Sequence, residues 1–214
     1  LDFINCTNVV DYQIKTALAG LGTNKYNAFI GRGDSFRVER STLLKYKGHR
    51  TSLLKPLYLK DVEEYLIDKY NAEIVTGIEN DDRCVMECYK QPNNILLAAE
   101  KDFYSCPVKY YNAAAKVGTI NCDTFGKLSL NDKKEVKGYG RLHLYYQTCA
   151  QDDSDNYKAH CMSDVAWGEQ SAYKALVNCK NDREAWLAME SVFKHLYPEP
   201  KEVVGWRGDT ILID

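Results

Sequence analysis

Apolar residues recur along this chain with two different periods, and the changes between them divide it into elements. From Val9 to Leu21 the apolar positions fall at helical spacing, and Gly20 and Gly22 end the run. Asn27-Ala28-Phe29-Ile30 is a short run of strand type. Residues 31 to 60 are polar and basic and read as a loop region. The pattern then predicts an amphipathic helix opening at Asp61-Val62-Glu63-Glu64-Tyr65-Leu66 and a strand at Ala72-Glu73-Ile74-Val75. A helix follows from Asp81 to Tyr89, then a third strand at Ile95-Leu96-Leu97-Ala98-Ala99. Such alternation predicts a parallel α/β sheet with right-handed crossovers. Residues 108 to 138 alternate Tyr, Val, Ile and Leu in the manner of a hairpin or meander. Helical spacing returns at about Leu142. The last helix should take Asn181 or Asp182 as its N-cap and place Trp186, Met189, Val192, Phe193 and Leu196 on one broad face. Pro198 and Pro200 should stop it. The expected organisation is an α/β domain over residues 1–148, with its basic region at about 32–60, and a helical region over 149–214.

With 214 residues, 45% of them hydrophobic, the chain can bury a core; collagen, coiled coil and disorder are excluded. No apolar run approaches the roughly 18 residues that span a bilayer, and the first residues lack the charged-then-apolar order of a leader. Eight cysteines could form four disulfides, but Cys84 and Cys88 lie in a helix-like stretch and the others are scattered. No CxxC pair or zinc spacing occurs, so buried reduced thiols and a cytoplasmic setting are expected. The formal charge of −2 argues at face value against a polyanionic partner. It conceals a strong polarity. Residues 32 to 60 carry eight basic side chains against Asp34 and Glu39, a local excess of six positive charges. With Tyr46 and Tyr58 as stacking surfaces, that stretch has the composition of a phosphate-binding segment.

Acidic groups gather where ligands collect in open α/β sheets, at the carboxyl ends of strands. Glu79-Asn80-Asp81-Asp82 follows the second strand, and Glu100-Lys101-Asp102 the third. Asp152-Asp153-Ser154-Asp155-Asn156 follows the helical run ending at Cys149. Each cluster alone could be a helix start or an acidic turn. Together they would repel one another unless divalent cations neutralised them, and oxygen-only ligation suits Mg²⁺ or Mn²⁺. Two such ions about 4 Å apart support phosphodiester hydrolysis.

These elements resemble those of the 5′-nuclease (flap endonuclease) superfamily. Glu79-Asn80-Asp81-Asp82 is similar to its Glu-Ala-Asp-Asp element, and Leu97-Ala98-Ala99-Glu100-Lys101-Asp102-Phe103 to its Thr-Ala-Asp-Lys-Asp-Leu element. Gln151-Asp152-Asp153-Ser154-Asp155-Asn156 resembles Gly-Asp-x-x-Asp-Asn, and Phe36-Arg37 with Lys45-Tyr46-Lys47-Gly48-His49-Arg50 resembles Phe-Arg…Tyr-Lys-x-Asn-Arg. Order and approximate spacing agree over residues 29–176. Glu100 replaces the usual Asp, Gln151 a Gly and His49 an Asn. The Asp that ends the family's first strand could only be Asp2, and the one ending its second strand is missing, with Asp34 the nearest substitute.

The resemblance implies a PIN-like fold: a twisted, mainly parallel sheet flanked by helices, with a helix-hairpin-helix-like appendage. It implies that Glu79, Asp81, Asp82, Glu100 and Asp102 hold one metal region and Asp152 and Asp155 a second. Lys47, Arg50, Glu79, Asp102 and Asp155 would be catalytic. Arg37, Lys45, Tyr46, Lys47 and Arg50 would grip nucleic acid in an arch over the site. Gly168 and Ser171, in Ala166-Trp167-Gly168-Glu169-Gln170-Ser171-Ala172, would meet duplex phosphates beside a K⁺ ion. The implied activity is Mg²⁺- or Mn²⁺-dependent 5′–3′ cleavage of DNA at 5′ ends, flaps or nicks, or of RNA in RNA–DNA hybrids, by a monomer with no membrane partner. Two other readings share the pattern, a catalytically silent nucleic-acid-binding module and a PIN-like ribonuclease. Arg32-Gly33-Asp34 and Arg207-Gly208-Asp209 spell an adhesion tripeptide, which has meaning only on a displayed loop of a secreted protein.

Overall fold

The computed structural model describes residues 2–52, 54–115 and 118–213. Helix α1 (Phe3–Gly20) starts well before Val9 because the Asp2 side chain accepts from the Asn5 amide and caps it. Asp2 therefore opens a helix rather than ending a strand, which corrects its candidacy as a metal ligand. Strand β1 (Phe29–Ser35) leads into α2 (Phe36–Arg40), and α3 (Leu59–Tyr70) precedes β2 (Glu73–Gly77). The basic stretch is thus partly strand and helix rather than loop throughout.

The two strands β1 and β2 pair in parallel, Phe29 facing Glu73 and Gly31 facing Val75, before the register breaks and Ser35 meets Gly77. Helix α4 (Asn80–Tyr89) follows at once. Strand β3 (Ile95–Ala98) pairs in parallel with β4 (Lys109–Asn112), whose other edge carries β5 (Ile120–Asn121) antiparallel. The order of elements and the parallel pairing agree with the sequence pattern. The single twisted sheet does not: among the described residues, the β1–β2 and β3–β4–β5 ladders are separate. Strand β2 shows why. Of its five residues only Val75 is buried, and Ile74 is 43% exposed, whereas an inner strand of a parallel sheet needs cover on both faces.

Strands β6 (Lys127–Leu130) and β7 (Val136–Tyr139) form an antiparallel hairpin. It ends at Gly140, which meets Gly126 so closely that a Cβ on Gly126 would lie 1.8 Å from the Tyr139 carbonyl oxygen. Helix α5 (Arg141–Cys149) starts there, and its Leu142, Tyr146 and Cys149 join the larger of two cores. Most of the rest of that core comes from α6 (Glu169–Leu176) and α7 (Asp182–Leu196), with Leu128 of β6, Ala150 and Ala159 beside them, so packing runs across residues 148 and 149. Asn181 caps α7 by accepting from the Glu184 amide. Ala185, Val192 and Leu196 form its buried stripe, with Met189 beside them. Trp186 lies one helical step off that stripe and is 57% exposed, a correction to its expected place on one face with Met189, Val192, Phe193 and Leu196. The C-terminal region is also less helical than its pattern suggested. It contains the β8 (Gln151–Asp152)–β9 (Tyr157–Lys158) and β10 (Lys201–Val204)–β11 (Thr210–Ile213) hairpins.

Among the described residues there are seven α-helices and only small sheets, a mixed α/β protein. All eight cysteines are free thiols, and no described helix is long and apolar enough to cross a membrane.

Candidate functional site

The site is assembled from three chain segments that leave ordered elements. Beyond β2, Gly77 takes a left-handed turn (φ +79°), and Glu79 becomes the N-cap of α4. Glu79 and Asp82 form a reciprocal capping box, the Asp82 carboxylate accepting from the Glu79 amide at 3.3 Å. Helix geometry alone thus accounts for part of this acidic run. The same side chains also receive cations from elsewhere. Arg37, on α2, donates to both oxygens of Asp82 at 2.5 and 2.6 Å and stands 3.6 Å from Glu79. The Tyr46 hydroxyl donates to Glu79 Oε2 at 2.9 Å, and Lys47 Nζ to Oε1 at 2.7 Å.

Lys47 links this group to the third acidic segment. Its ammonium lies 3.7 Å from Asp155 Oδ1, and its backbone N–H donates to the Asp155 carbonyl at 3.1 Å. Asn156 Nδ2 donates to the Lys45 carbonyl at 3.0 Å, so residues 45–47 lie along the β8–β9 turn. To hold both contacts Lys47 adopts a left-handed conformation, φ 51°. Within the turn, Asp152 accepts from the Ser154 amide and hydroxyl at 2.9 and 2.5 Å, and Lys101 stands 3.4 Å away.

Asp102 follows β3 and is held by a relay that runs back into α5. Gln147 Nε2 donates to Asp102 Oδ1 at 3.1 Å; its Oε1 accepts from Ser105 Oγ, which lies 2.8 Å from His143 Nδ1. A carboxylate can only accept, so the chain has one consistent direction: His143 to Ser105 to Gln147 to Asp102. Glu100 is exposed, and its backbone carbonyl accepts from the Tyr110 hydroxyl at 2.6 Å.

The carboxylates divide by environment. Arg37 holds Asp82 below the ordinary carboxylate range, outweighing burial. Burial works against Asp152, yet Ser154 and Lys101 bring it below that range as well. Asp81 is raised, by burial first and then by Glu79 and Glu100. Asp102 is raised by burial and then by Asp152, with Asp155 adding to it. The Cys106 thiol is pushed up to about 11 by partial burial and then by Asp102, Asp81 and Asp82, so carboxylates from two segments act on one half-buried point. A cavity of about 170 Å³ opens beside them, lined by Gly31, Ser35, Lys47, Glu79 and Asp81 among others, at the carboxyl ends of β1 and β2.

The donor set fits a hard divalent cation in its chemistry: oxygen ligands only, with two carboxylates whose unrelieved charge favours a proton. Its positions are not closed on an ion. Among the described residues no three His, Cys, Asp or Glu side chains converge as a ligand group, while Arg37, Lys47 and Lys101 pair with Asp82, Glu79, Asp155 and Asp152.

Other expected residues stand apart. Arg50 lies exposed in the 3₁₀ turn Gly48–Ser52, with no side-chain hydrogen bond or ion pair among the described residues. Lys45 Nζ sits over the Trp206 ring, 5.4 Å from its centroid. Gly168 caps α6 in an extended conformation, and its carbonyl accepts from the Ser171 and Ala172 amides. A Cβ there would meet nothing within 4 Å, so nothing in its conformation or packing requires glycine. Asp34 is exposed on β1. Neither adhesion tripeptide is a free display: Arg32 pairs with Glu63 and Glu64 at 3.1 and 2.6 Å, and Arg207 donates to the Val38 and Glu39 carbonyls. Sequence reading missed Lys101, Ser105, His143, Gln147 and Ser154. Of these only Lys101, inside the Glu-Lys-Asp element, and Ser154, inside the Asp-Asp-Ser-Asp-Asn element, carried a signal in their neighbours.

Comparison of the chain with protein-family models, characterised proteins and solved structures gives no match.

Proposed function

We propose that this chain is a divalent-metal-dependent 5′–3′ nuclease acting on DNA at 5′ ends, flaps or nicks, on a reduced PIN-like fold. One observation carries the reading: acidic residues 79–82, 100–102 and 152–155 leave three different elements, yet share one charged neighbourhood with Arg37 and Lys47. Glu79, Asp81, Asp82, Glu100 and Asp102 would hold one Mg²⁺ or Mn²⁺, and Asp152 and Asp155 a second. The ions would activate water and stabilise the leaving oxygen.

The protein's own groups have separate tasks. Gln147 aims Asp102 by donating to one of its oxygens, which leaves the other open. Tyr46 is driven above its ordinary range by burial, then by Asp155 and its bond to Glu79, so it stays protonated and keeps donating. Lys47 and Arg37 would turn from the carboxylates to a scissile phosphate, whose tetrahedral oxygens suit both donors. Arg50 is exposed and available to a DNA backbone. Gly168 and Ser171, at the start of α6, would meet duplex phosphate with a K⁺ ion. Free thiols fit a reducing, cytoplasmic setting, and a monomer suffices for the site.

The ion pairs favour one second reading, a nucleic-acid-binding module whose carboxylates are neutralised internally. A labelled 5′-flap duplex with Mg²⁺ or Mn²⁺ separates the two. Wild type should cut, and Asp102→Ala and Asp155→Ala should lose at least about a hundredfold in rate. Tight flap binding without cleavage in either metal would leave the binding module. Equal cutting of single-stranded RNA would favour a PIN-like ribonuclease.

A further inference from the structure

The tip of the β10–β11 hairpin, far along the chain from the acidic site, is docked on the segment that supplies Tyr46 and Lys47. Helix α2 has five residues, and such a short helix leaves its last carbonyls without amide partners inside the helix. Arg207 Nη2 donates to two of them, Val38 and Glu39, at 2.7 Å each, a cationic cap at a helix C-terminus. Trp206 Nε1 donates to the Ser41 carbonyl at 2.8 Å and its backbone N–H to Thr42 at 3.2 Å. The hairpin fits closely: a Cβ on Gly205 would lie 2.6 Å from the Thr42 carbonyl oxygen. Arg207 stacks 4.6 Å from the Trp206 centroid, and Lys45 approaches the same ring.

From this anchor a continuous set of bonds runs to the acidic site. Ser41 Oγ donates to the Val38 carbonyl at 3.0 Å, sharing that acceptor with Arg207, and accepts from the Tyr46 amide at 3.2 Å. The next contacts are Tyr46 hydroxyl to Glu79 and Lys47 to Glu79. We propose that the C-terminal hairpin is a clasp for residues 38–47, with Trp206 and Arg207 acting as positioning residues that set Tyr46 and Lys47 against Glu79. The catalytic part of this inference rests on the nuclease reading; the clasp itself does not.

Hydrogen exchange followed by mass spectrometry on the full chain tests it, comparing wild type with Trp206→Phe, Arg207→Ala and Arg207→Lys. In Arg207→Ala, amides of residues 41–50 should exchange about tenfold faster, while those of α5 and α7 stay within about twofold. Trp206→Phe, which keeps an aromatic ring of smaller size and loses the Nε1 donor, and Arg207→Lys, which keeps a cation at the carbonyls, should fall between. On a flap duplex, Arg207→Ala should lower kcat about tenfold with KM nearly unchanged. Unchanged exchange at residues 41–50 would overturn the clasp, as would loss of protection spread equally over α5 and α7. If wild type cuts nothing, the nuclease reading falls, and the exchange data still decide the clasp.

Discussion

Arg37 grips Asp82 through both terminal guanidinium nitrogens, at 2.5 and 2.6 Å, and so occupies a carboxylate that the proposed nuclease reading would give to a metal ion. The pair is partly exposed, so its worth is that of a screened but bidentate contact, about 1 kcal/mol. Arg37→Ala should therefore cost about 1 kcal/mol in urea unfolding with EDTA present. Added Mg²⁺ should shrink that difference, because a cation can replace the lost guanidinium at Asp82. A difference that Mg²⁺ leaves unaltered would separate Asp82 from the metal set.

Asp81 gives the opposite expectation. It is half-buried beside Glu79 and Glu100, and its carboxylate has no hydrogen bond or ion pair among the described residues. Asp81→Asn should leave thermal stability in EDTA unchanged or slightly raised, since it removes like-charge repulsion. The same change should abolish most of the stabilisation produced by Mg²⁺, which for wild type should reach about 2.7 kcal/mol at a hundredfold excess over Kd. Differential scanning fluorimetry across an Mg²⁺ titration reads both effects.

His143 sets an acid limit on stability. Burial, and then the charge of Lys101, lowers it from 6.5 to about 4 in the folded protein. The unfolded chain therefore binds more protons between these values, and stability falls as pH drops through that window. The loss between pH 7 and pH 5 should be about 2 kcal/mol, levelling off below about pH 4. Urea unfolding of His143→Gln should show a shallower slope over the same range; an identical slope would place the acid sensitivity elsewhere.

Asp11 anchors α1 on α3. Its carboxylate accepts from Tyr65, Lys69 and Tyr70 at 2.8, 2.5 and 2.7 Å, and those bonds, led by Lys69, hold it well below the ordinary range. Asp11→Ala should raise hydrogen exchange and protease cleavage within α1 and leave α5 to α7 protected. Unchanged protection of α1 would assign its docking to the Phe3, Tyr58 and Tyr65 ring contacts instead.

Local spacing was enough to establish much of this molecule. Apart from α2, which lies in a stretch that reads as loop, the helix–strand order through residue 98, the Asn181 cap and the acidic runs after β2 and β3 all follow from patterns a few residues long. Tertiary structure alone decided the rest. No short window shows that β2 would stand uncovered, dividing the expected sheet, because cover comes from elements distant in sequence. Nor could one show that Arg37 would choose Asp82, 45 residues away, or Arg207 the end of α2, 169 residues from Val38. A charge pattern states how many cations and carboxylates exist. Which ones neutralise each other depends on loop convergence and burial, and here that choice determines which carboxylates remain open to a ligand.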